Sequence, residues 1–202
     1  MVNEIDLLLS SKHAGGSRKK DQIIISSSAT ISRNLSDYKF NTANDKKDKN
    51  KIMALIKDAK SSIKELDSYR FYPLKELNRL QRRSLIEKRI MSPQMGKKLY
   101  GKAIILNLES KEKNKIISIL VNDSDHLKIQ CARTGLHIKD CYKKVLSIEK
   151  KMEKKLSFSF NKNLGYLTSN PANLGTAFKV SLLAHVPGLV ISAKIIDFIK
   201  NI

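Results

Sequence analysis

The sequence is poor in tryptophan, cysteine, proline and aromatic residues. It has no Trp, two Cys and four Pro in 202 residues, and 6% of its residues are aromatic. Cys131 and Cys141 are too few for a disulfide scaffold, and no His or Cys lies beside them at zinc-binding spacing. Sparse aromatic residues disfavour a surface that stacks nucleic-acid bases. We therefore expect a reducing, cytoplasmic location, no metal centre and no nucleic-acid interface.

The sequence also lacks membrane and export signals. No apolar run approaches the ~18 residues that a membrane span needs. The first residues carry acids at Glu4 and Asp6 and no basic region, which is not typical of a secretory signal. The sequence therefore predicts no membrane association.

Acidic residues are scarce as well, with 19 Asp and Glu against 39 Lys and Arg, so the formal charge is +20. This charge favours an anionic partner. However, 31 of the 39 basic residues are lysines, whereas nucleic-acid recognition relies on arginine. A solvated lysine surface is thus the simpler interpretation. The 41% hydrophobic content supports a globular domain with its own core.

Hydrophobic patterning predicts an α+β architecture of antiparallel strands covered by helices. Residues 1–22 are interpreted as a flexible N-terminal arm, and residues 23–202 as the folded domain. The predicted strands begin at residue 23 and include 103–108, 116–121, 126–131 and 176–186. The predicted helices are 52–66, 74 to about 92, 138–152 and 189–199. Helix 138–152 has one apolar face and a lysine-rich remainder, as expected for a helix that covers a sheet.

Four segments carry a specific resemblance. Residues 163–187 read NLGYLTSNPANLGTAFKVSLLAHVP and resemble the signature of the ATP:guanido phosphotransferases, GYLT followed by CP(S/T)NLGTGLRAS and LP. Residues 121–130 (VNDSDHLKIQ) resemble that family's NEEDHLR segment, and residues 23–35 (IIISSSATISRNL) its SSRIRLARNL segment. Residues 83–93 (RSLIEKRIMSP) resemble VEKHLISP of the bacterial branch, the protein-arginine kinases.

The resemblance implies a fold and a chemistry. The fold is an antiparallel sheet flanked by helices, similar to the catalytic domain of guanido kinases and glutamine synthetase. The chemistry is transfer of the ATP γ-phosphoryl group to a guanidinium nitrogen, with Mg²⁺, and in the bacterial branch the acceptor is an arginine side chain of a protein. The family's later glycine-rich loop has no counterpart before Ile202. We therefore expect a partial domain, incomplete at its C-terminus, with an exposed sheet edge.

Three catalytic positions follow from the resemblance. The two glutamates of NEEDH correspond to Asp123 and Ser124, and the family's reactive cysteine corresponds to Asn170. A serine hydroxyl does not serve as a base for a guanidinium without an activating partner. The sequence therefore predicts that this catalytic apparatus is largely substituted.

The nucleotide-binding positions are substituted in a similar way. Arginines of the family correspond to Ser28, Thr30, Lys128 and Lys179. Lysine keeps the charge without the bidentate fork, and a hydroxyl cannot neutralise phosphate. The complete predicted set is Ser26, Ser28, Thr30, His126, Lys128, Lys179, Val180 and Ser181.

These substitutions favour a degenerate kinase-like domain that works as a binding or regulatory module. Such a module would bind a protein partner or a second copy of itself through the exposed sheet edge. One alternative is an active kinase for arginine-containing proteins, which would use ATP and Mg²⁺. Others are a non-functional relic and a lysine-rich polyanion binder, whose binding would depend strongly on salt.

Overall fold

The structure is a computed structural model that describes residues 23–40, 46–107 and 114–201. The predicted arm, residues 1–22, lies outside the described residues. The α+β prediction is confirmed, because the described chain forms an antiparallel sheet with helices packed on it. No helix among these residues is both long enough and apolar enough to cross a bilayer.

Among the described residues, the main sheet has six strands, numbered along the chain. They are β1 (Ile24–Arg33), β2 (Tyr69–Pro73), β3 (Ala103–Asn107), β4 (Lys115–Val121), β5 (Leu127–Thr134) and β8 (Phe178–Ala184). Their order across the sheet is β2-β3-β4-β5-β1-β8, with antiparallel neighbours throughout. Two short strands, β6 (Phe160–Asn161) and β7 (Gly165–Tyr166), form a separate hairpin. The order places β1 between two strands that come much later in the chain.

Within the described ranges, six α-helices accompany the strands. They are α1 (Lys46–Ser61), α2 (Arg79–Glu87), α3 (Pro93–Lys97), α4 (Ile138–Glu153), α5 (Pro187–Ile191) and α6 (Ile195–Lys200). At the start of α2, Asn78 and Gln81 each accept a hydrogen bond from the other's backbone N–H, which is a capping box. Ser92 caps α3, and Pro93 occupies its first turn, where a missing N–H has no cost.

The observed elements differ from the predicted ones in three places. Residues 69–73 form the edge strand β2, which the sequence analysis missed. The predicted helix from 74 to about 92 is a 3₁₀ turn followed by the shorter α2. The Asn78 cap starts this new helix, and it stops before Arg89, which has a left-handed φ of 58°. The predicted helix 189–199 is divided into α5 and α6, since Ala193 between them has a left-handed φ of 56°.

The two faces of the sheet have different environments. On the core face, α1 and α4 cover the sheet, and Ile56 and Val145 pack with Ile31 of β1. The opposite side is called the cleft face here. Leu85 of α2 and Leu106 of β3 belong to a second apolar cluster on that side, which covers only the part near β2, β3 and β4. Helices of the described chain leave the part formed by β5, β1 and β8 open.

Candidate functional site

A cleft of about 410 Å³ lies on the open part of the cleft face. Strands β1, β5 and β8 form its floor, and the end of α2 with the connection to α3 forms its wall. Five of the predicted site residues line it: Ser28, Thr30, Lys128, Lys179 and Ser181. The fold therefore brings together positions from three distant parts of the sequence.

The strand register explains why these side chains meet. Residues directly opposite each other on antiparallel strands point to the same face. Ser28 lies opposite Ser181, and Thr30 lies opposite Lys179. On the other side of β1, Thr30 lies opposite Gln130. The floor is thus a polar patch built from neighbouring strands.

Sequence reasoning missed three polar residues of the cleft: Arg89, Ser92 and Gln130. Gln130 follows Lys128 by two residues on β5, so strand alternation could have found it. Arg89 follows α2 with a left-handed φ of 58°, and its carbonyl accepts a hydrogen bond from Gln130 Nε2 at 3.2 Å. This hydrogen bond joins the wall of the cleft to its floor.

Three predicted nucleotide-binding residues lie outside the cleft lining: Val180, Ser26 and His126. Val180 lies opposite Ala29, whose side chain is fully buried in the core, so Val180 points away from the cleft. The reason is alternation, because Lys179, Val180 and Ser181 are consecutive residues of one strand. Ser26 lies on the cleft face opposite Leu183, next to the lining residues but not among them.

His126 has a structural environment. It is fully buried, its Nδ1 accepts a hydrogen bond from Leu35 N at 3.0 Å, and its Nε2 lies 2.9 Å from the carbonyl oxygen of Lys39. This arrangement needs a neutral ring that is protonated on Nε2. Burial lowers the pKa of His126, which agrees with a neutral imidazole. The side chain does not line the cleft, so this geometry lends no support to the nucleotide role predicted for it.

Asp125 fixes the turn between β4 and β5 against two other segments. Its buried Oδ1 accepts hydrogen bonds from Asn34 Nδ2 at 2.8 Å and from Ser169 N at 2.7 Å. In addition, Ser169 Oγ donates to the carbonyl of Ser124 at 2.9 Å. These bonds bring Ser124 close to the residue that precedes Asn170. The predicted catalytic positions on the two segments therefore lie at the same end of the sheet.

Asp123 connects that end of the sheet to the cleft. Its Oδ1 accepts a hydrogen bond from Ser92 Oγ at 3.0 Å, and its Oδ2 lies 3.4 Å from Lys128 Nζ. The side chain of Asp123 is only 8% exposed. Burial lowers the pKa of nearby Lys102, and the negative charge of Asp123 opposes this decrease. A carboxylate is thus held at the cleft margin by polar and cationic neighbours.

Ser124 and Asn170 have local hydrogen-bonding roles. Ser124 Oγ donates to Asp125 Oδ2 at 3.3 Å. Asn170 Oδ1 accepts from Ala172 N at 3.1 Å and caps the 3₁₀ turn Pro171–Asn173. Neither side chain supplies a negative charge or a thiolate at these positions.

Arg33 organises the loop that leads into β8. It is buried and pairs with Glu149 of α4 at 2.9 Å. Its guanidinium lies 3.4 Å from the centre of the Tyr166 ring, and Nη1 donates to the carbonyl of Thr176 at 3.0 Å. These contacts tie β1, α4 and the residues before β8 together on the core side, which positions Lys179 and Ser181.

Comparison with known proteins supports the resemblance. The family model for the C-terminal catalytic domain of ATP:guanido phosphotransferases matches residues 51–202. The protein-arginine kinase of Bacillus cereus strain AH187 is 31% identical over 189 residues, which cover 93% of this chain and 52% of that protein. That of Bacillus mycoides strain KBAB4 is 32% identical with the same coverage. The chain therefore spans about half the length of the curated relatives it matches.

Solved structures support the fold. The duplicated taurocyamine kinase of Schistosoma mansoni, with bound transition-state-analogue components, aligns with a TM-score of 0.77 at 24% identity, covering 88% of this chain and 26% of that one. A lombricine kinase aligns with a TM-score of 0.67 at 21% identity, covering 83% of this chain and 49% of that one. At this level of identity the likeness concerns architecture.

Proposed function

Because this chain belongs to the ATP:guanido phosphotransferase family, we propose that its cleft binds the phosphate groups of a nucleotide but transfers phosphate poorly or not at all. The domain then works as a binding or regulatory module. One observation carries this proposal. Ser28, Thr30, Lys128 and Lys179, the positions where the resemblance places arginines, line one cleft. The proposal includes a cytoplasmic location, in keeping with two free cysteine thiols.

The composition of the cleft suits a nucleotide. Arg89, Lys128 and Lys179 supply positive charge, and the hydroxyl groups of β1 and β8 can donate hydrogen bonds to phosphate oxygens. The wall includes the half-buried Ile86 and the exposed Pro93, which offer an apolar surface to a nucleobase. Small-molecule sites commonly combine an apolar lining with a few polar groups, in volumes of about 300–1,000 Å³.

The same residues argue against efficient transfer. A guanidinium has a pKa above about 12, so a carboxylate must orient it and accept its proton. Ser124 occupies that position and is hydrogen-bonded to Asp125. Each lost electrostatic group typically lowers a rate by about 10²–10³, and Ser28 and Thr30 add two more substitutions. These losses need not multiply, because groups that act together are not additive.

Mg²⁺ fits this proposal only as a companion of the nucleotide. The described residues contain no group of three or more His, Cys, Asp or Glu side chains that could hold a metal ion. Mg²⁺ is usually bound by one or two carboxylates together with substrate phosphates. Asp123 is a carboxylate at the cleft margin, and it is already engaged by Ser92 and Lys128.

The competing hypothesis is an active kinase that phosphorylates arginine side chains of proteins. Asp123 is the observation that favours it, because its carboxylate lies beside Lys128 at the cleft. Asp123 would then replace the missing glutamate as the group that orients the guanidinium. The two hypotheses predict different products, since only the active kinase forms phosphoarginine.

Isothermal titration with Mg-ATP, at low and moderate salt, tests the proposal. We expect binding that persists at moderate salt and becomes tighter in Ser28→Arg, which adds a guanidinium to the cleft floor. Lys162→Ala, a surface lysine outside the cleft lining, is the matched control and should bind like the parent. Absence of Mg-ATP binding in the parent chain would overturn the proposal, whether or not Ser28→Arg binds.

Mass spectrometry of an arginine-containing protein incubated with the chain and Mg-ATP separates the two hypotheses. The binding-module proposal predicts no phosphoarginine above the level without enzyme. Phosphoarginine that disappears in Asp123→Asn would establish the active kinase instead.

A further inference from the structure

The core contains two cysteine side chains that lie between helix α4 and the sheet. Cys131 is on β5 and Cys141 is in the first turn of α4, and both are fully buried free thiols. They belong to the apolar cluster on the core face, so they lie on the opposite side of the sheet from the cleft. The chain has no third cysteine. This pair is therefore a nucleophilic cluster that the candidate site does not use.

The turn between β5 and α4 holds the two sulfur atoms together. Ser27 of β1 fixes this turn, because its Oγ accepts a hydrogen bond from His137 N at 2.8 Å. Cys141 Sγ lies 3.9 Å from the carbonyl oxygen of Ser27. Cys131 lies opposite Ala29, two residues further along β1. The two thiols hydrogen-bond to each other across the gap between helix and strand.

The surroundings of Cys141 favour its thiolate. The hydrogen bond from the Cys131 thiol and the positive charges of Lys115 and Arg133 lower the pKa of Cys141, while burial and Asp140 oppose this decrease. The first turn of a helix adds a further preference for negative charge. Thiolates, rather than thiols, are the nucleophiles of cysteine chemistry. Cys141 is therefore the member of the pair that reacts first with an electrophile.

Cys131 has the opposite preference. Its hydrogen bond to Cys141 and its burial raise its pKa, and the charges of Lys115 and Lys144 offset only part of this increase. The thiol of Cys131 thus stays protonated while it stabilises a negative charge on Cys141. Such a pair combines one reactive sulfur with a neighbour that can close a disulfide with it.

A basic pocket of about 320 Å³ lies beside the thiol pair. It is lined by Lys115, Arg133, Asp140, Lys143, Lys144 and Ser147. Asp140 precedes Cys141 in the chain, and the charges of Lys115 and Arg133 act on the Cys141 thiol. The first turn of α4 has no side-chain cap, and local opening of a helix end costs little free energy. Opening of this turn connects Cys141 to the pocket.

We propose that Cys131 and Cys141 form a redox-sensitive dithiol, at which a small peroxide such as hydrogen peroxide closes an intramolecular disulfide between β5 and α4. This proposal does not depend on nucleotide binding. Such disulfides are transient in a reducing compartment, where they report oxidation.

The oxidation proceeds in two steps. The Cys141 thiolate attacks one peroxide oxygen, the O–O bond breaks, and a sulfenic acid and hydroxide form. The hydroxide takes up the proton that Cys141 had released. The Cys131 sulfur then attacks the sulfenic sulfur, so that the S–S bond forms, the S–O bond breaks and water leaves. Overall, two thiols and one hydrogen peroxide give one disulfide and two waters, and the thiols lose two electrons to the peroxide.

Mass spectrometry of the folded chain after treatment with millimolar hydrogen peroxide tests the proposal. Every thiol product comes from this pair, because the chain has no other cysteine. We expect a monomer that has lost two hydrogen atoms, does not react with N-ethylmaleimide after denaturation, and regains both thiols with dithiothreitol. After trypsin, the disulfide should join peptides 129–133 (IQCAR) and 140–143 (DCYK). Two thiols that still react, or a disulfide found only between chains, would overturn the proposal.

Two single variants test the assigned roles. Cys131→Ser keeps the reactive Cys141 and should stop at a sulfenic acid, which dimedone traps. Cys141→Ser is the matched control, and its remaining thiol should react at least about tenfold more slowly, because it lacks a stabilised thiolate. In urea, where the fold is lost, the two variants should react at similar rates. In the folded parent, limiting N-ethylmaleimide should label Cys141 before Cys131, which tests the same order without a substitution. Equal reactivity of the two thiols in the folded chain would contradict the proposed site.

Discussion

The cleft face has two halves: a half on β2, β3 and β4 that α2 and α3 cover, and an open half on β5, β1 and β8. The comparison shows how one sheet surface can form both a core and a binding site. One cross-strand row runs Leu106, Ser118, Gln130, Thr30 and Lys179 from β3 to β8. It begins under the second apolar cluster and ends in the cleft. The row therefore changes from apolar to charged within five strands.

The difference lies in the side chains rather than in the backbone. Both halves have the same antiparallel pairing. Leu120 marks the boundary, since it lies opposite Ile104 on one side and Lys128 on the other. Apolar residues on β3 and β4 attract α2 and α3, because burying them removes apolar surface from water. Hydroxyl and lysine side chains on β1, β5 and β8 offer no such gain, so that half remains open.

The largest expected effect comes from breaking the covered half. Leu85 of α2 is fully buried in the second apolar cluster. Leu85→Ala should lower the free energy of unfolding by about 2–5 kcal/mol, measured by urea denaturation. Leu80, in the same helix, is 76% exposed, and Leu80→Ala should change stability by at most about 0.5 kcal/mol. Similar losses in the two variants would show that α2 does not pack as described.

Substitutions in the open half should change the affinity for Mg-ATP rather than the free energy of unfolding. Lys128→Ala with Lys179→Ala removes two of the three cations of the cleft. Hydrogen bonds to charged groups contribute about 1.5–3 kcal/mol each, so affinity for Mg-ATP should fall at least tenfold by calorimetry. Unchanged affinity in this double variant would place the nucleotide elsewhere.

The sequence predicts the elements that have a clear hydrophobic pattern and misses those that do not. Strands β3 and β4 follow from apolar runs, because most of their residues are buried. Strand β5 and helix α4 follow from alternation and helical periodicity, because one face of each is buried. Strand β2 does not, since it is a short edge strand, YRFYP, that contains Arg70 and ends in proline. An edge strand such as β2 forms partly because it pairs with a neighbouring strand, here β3, and local sequence patterns do not reveal that pairing.

The candidate site shows a similar limit. The resemblance identifies five residues that line the cleft, but it treats Lys179, Val180 and Ser181 as one block. Strand alternation then directs Val180 to the other face. Arg89 escaped prediction because its place in the cleft depends on how α2 ends above the sheet. A motif gives positions along the chain, and the fold decides which of them share a surface.

Acid should destabilise the turn between β4 and β5, which contains His126. Burial lowers the pKa of His126 below its usual 6.5, so the folded chain binds this proton less readily than the unfolded chain. Stability is therefore lost as pH falls below about 6.5, at up to about 1.4 kcal/mol per pH unit. His126→Gln keeps a hydrogen-bond donor and an acceptor without a titrating ring. The free energy of unfolding of this variant should therefore change less than that of the parent between about pH 7.5 and 5.5. Parallel pH profiles of parent and variant would assign the acid loss to other groups.

The smallest expected effect comes from Arg89→Gly, which should raise the free energy of unfolding and lower the affinity for Mg-ATP. These opposite changes make it the most diagnostic variant. Arg89 stands just after α2 with a φ of 58°, a position where helices favour glycine. Arg89→Gly relieves this strain and should raise the free energy of unfolding by about 0.5–1 kcal/mol. It also removes a guanidinium from the cleft, so affinity for Mg-ATP should fall. Arg89→Lys keeps both the charge and the strain, and should bind nearly as the parent does. If Arg89→Gly stabilised the chain with unchanged affinity, Arg89 would belong to the helix end alone and the binding surface would shrink to the floor of the cleft.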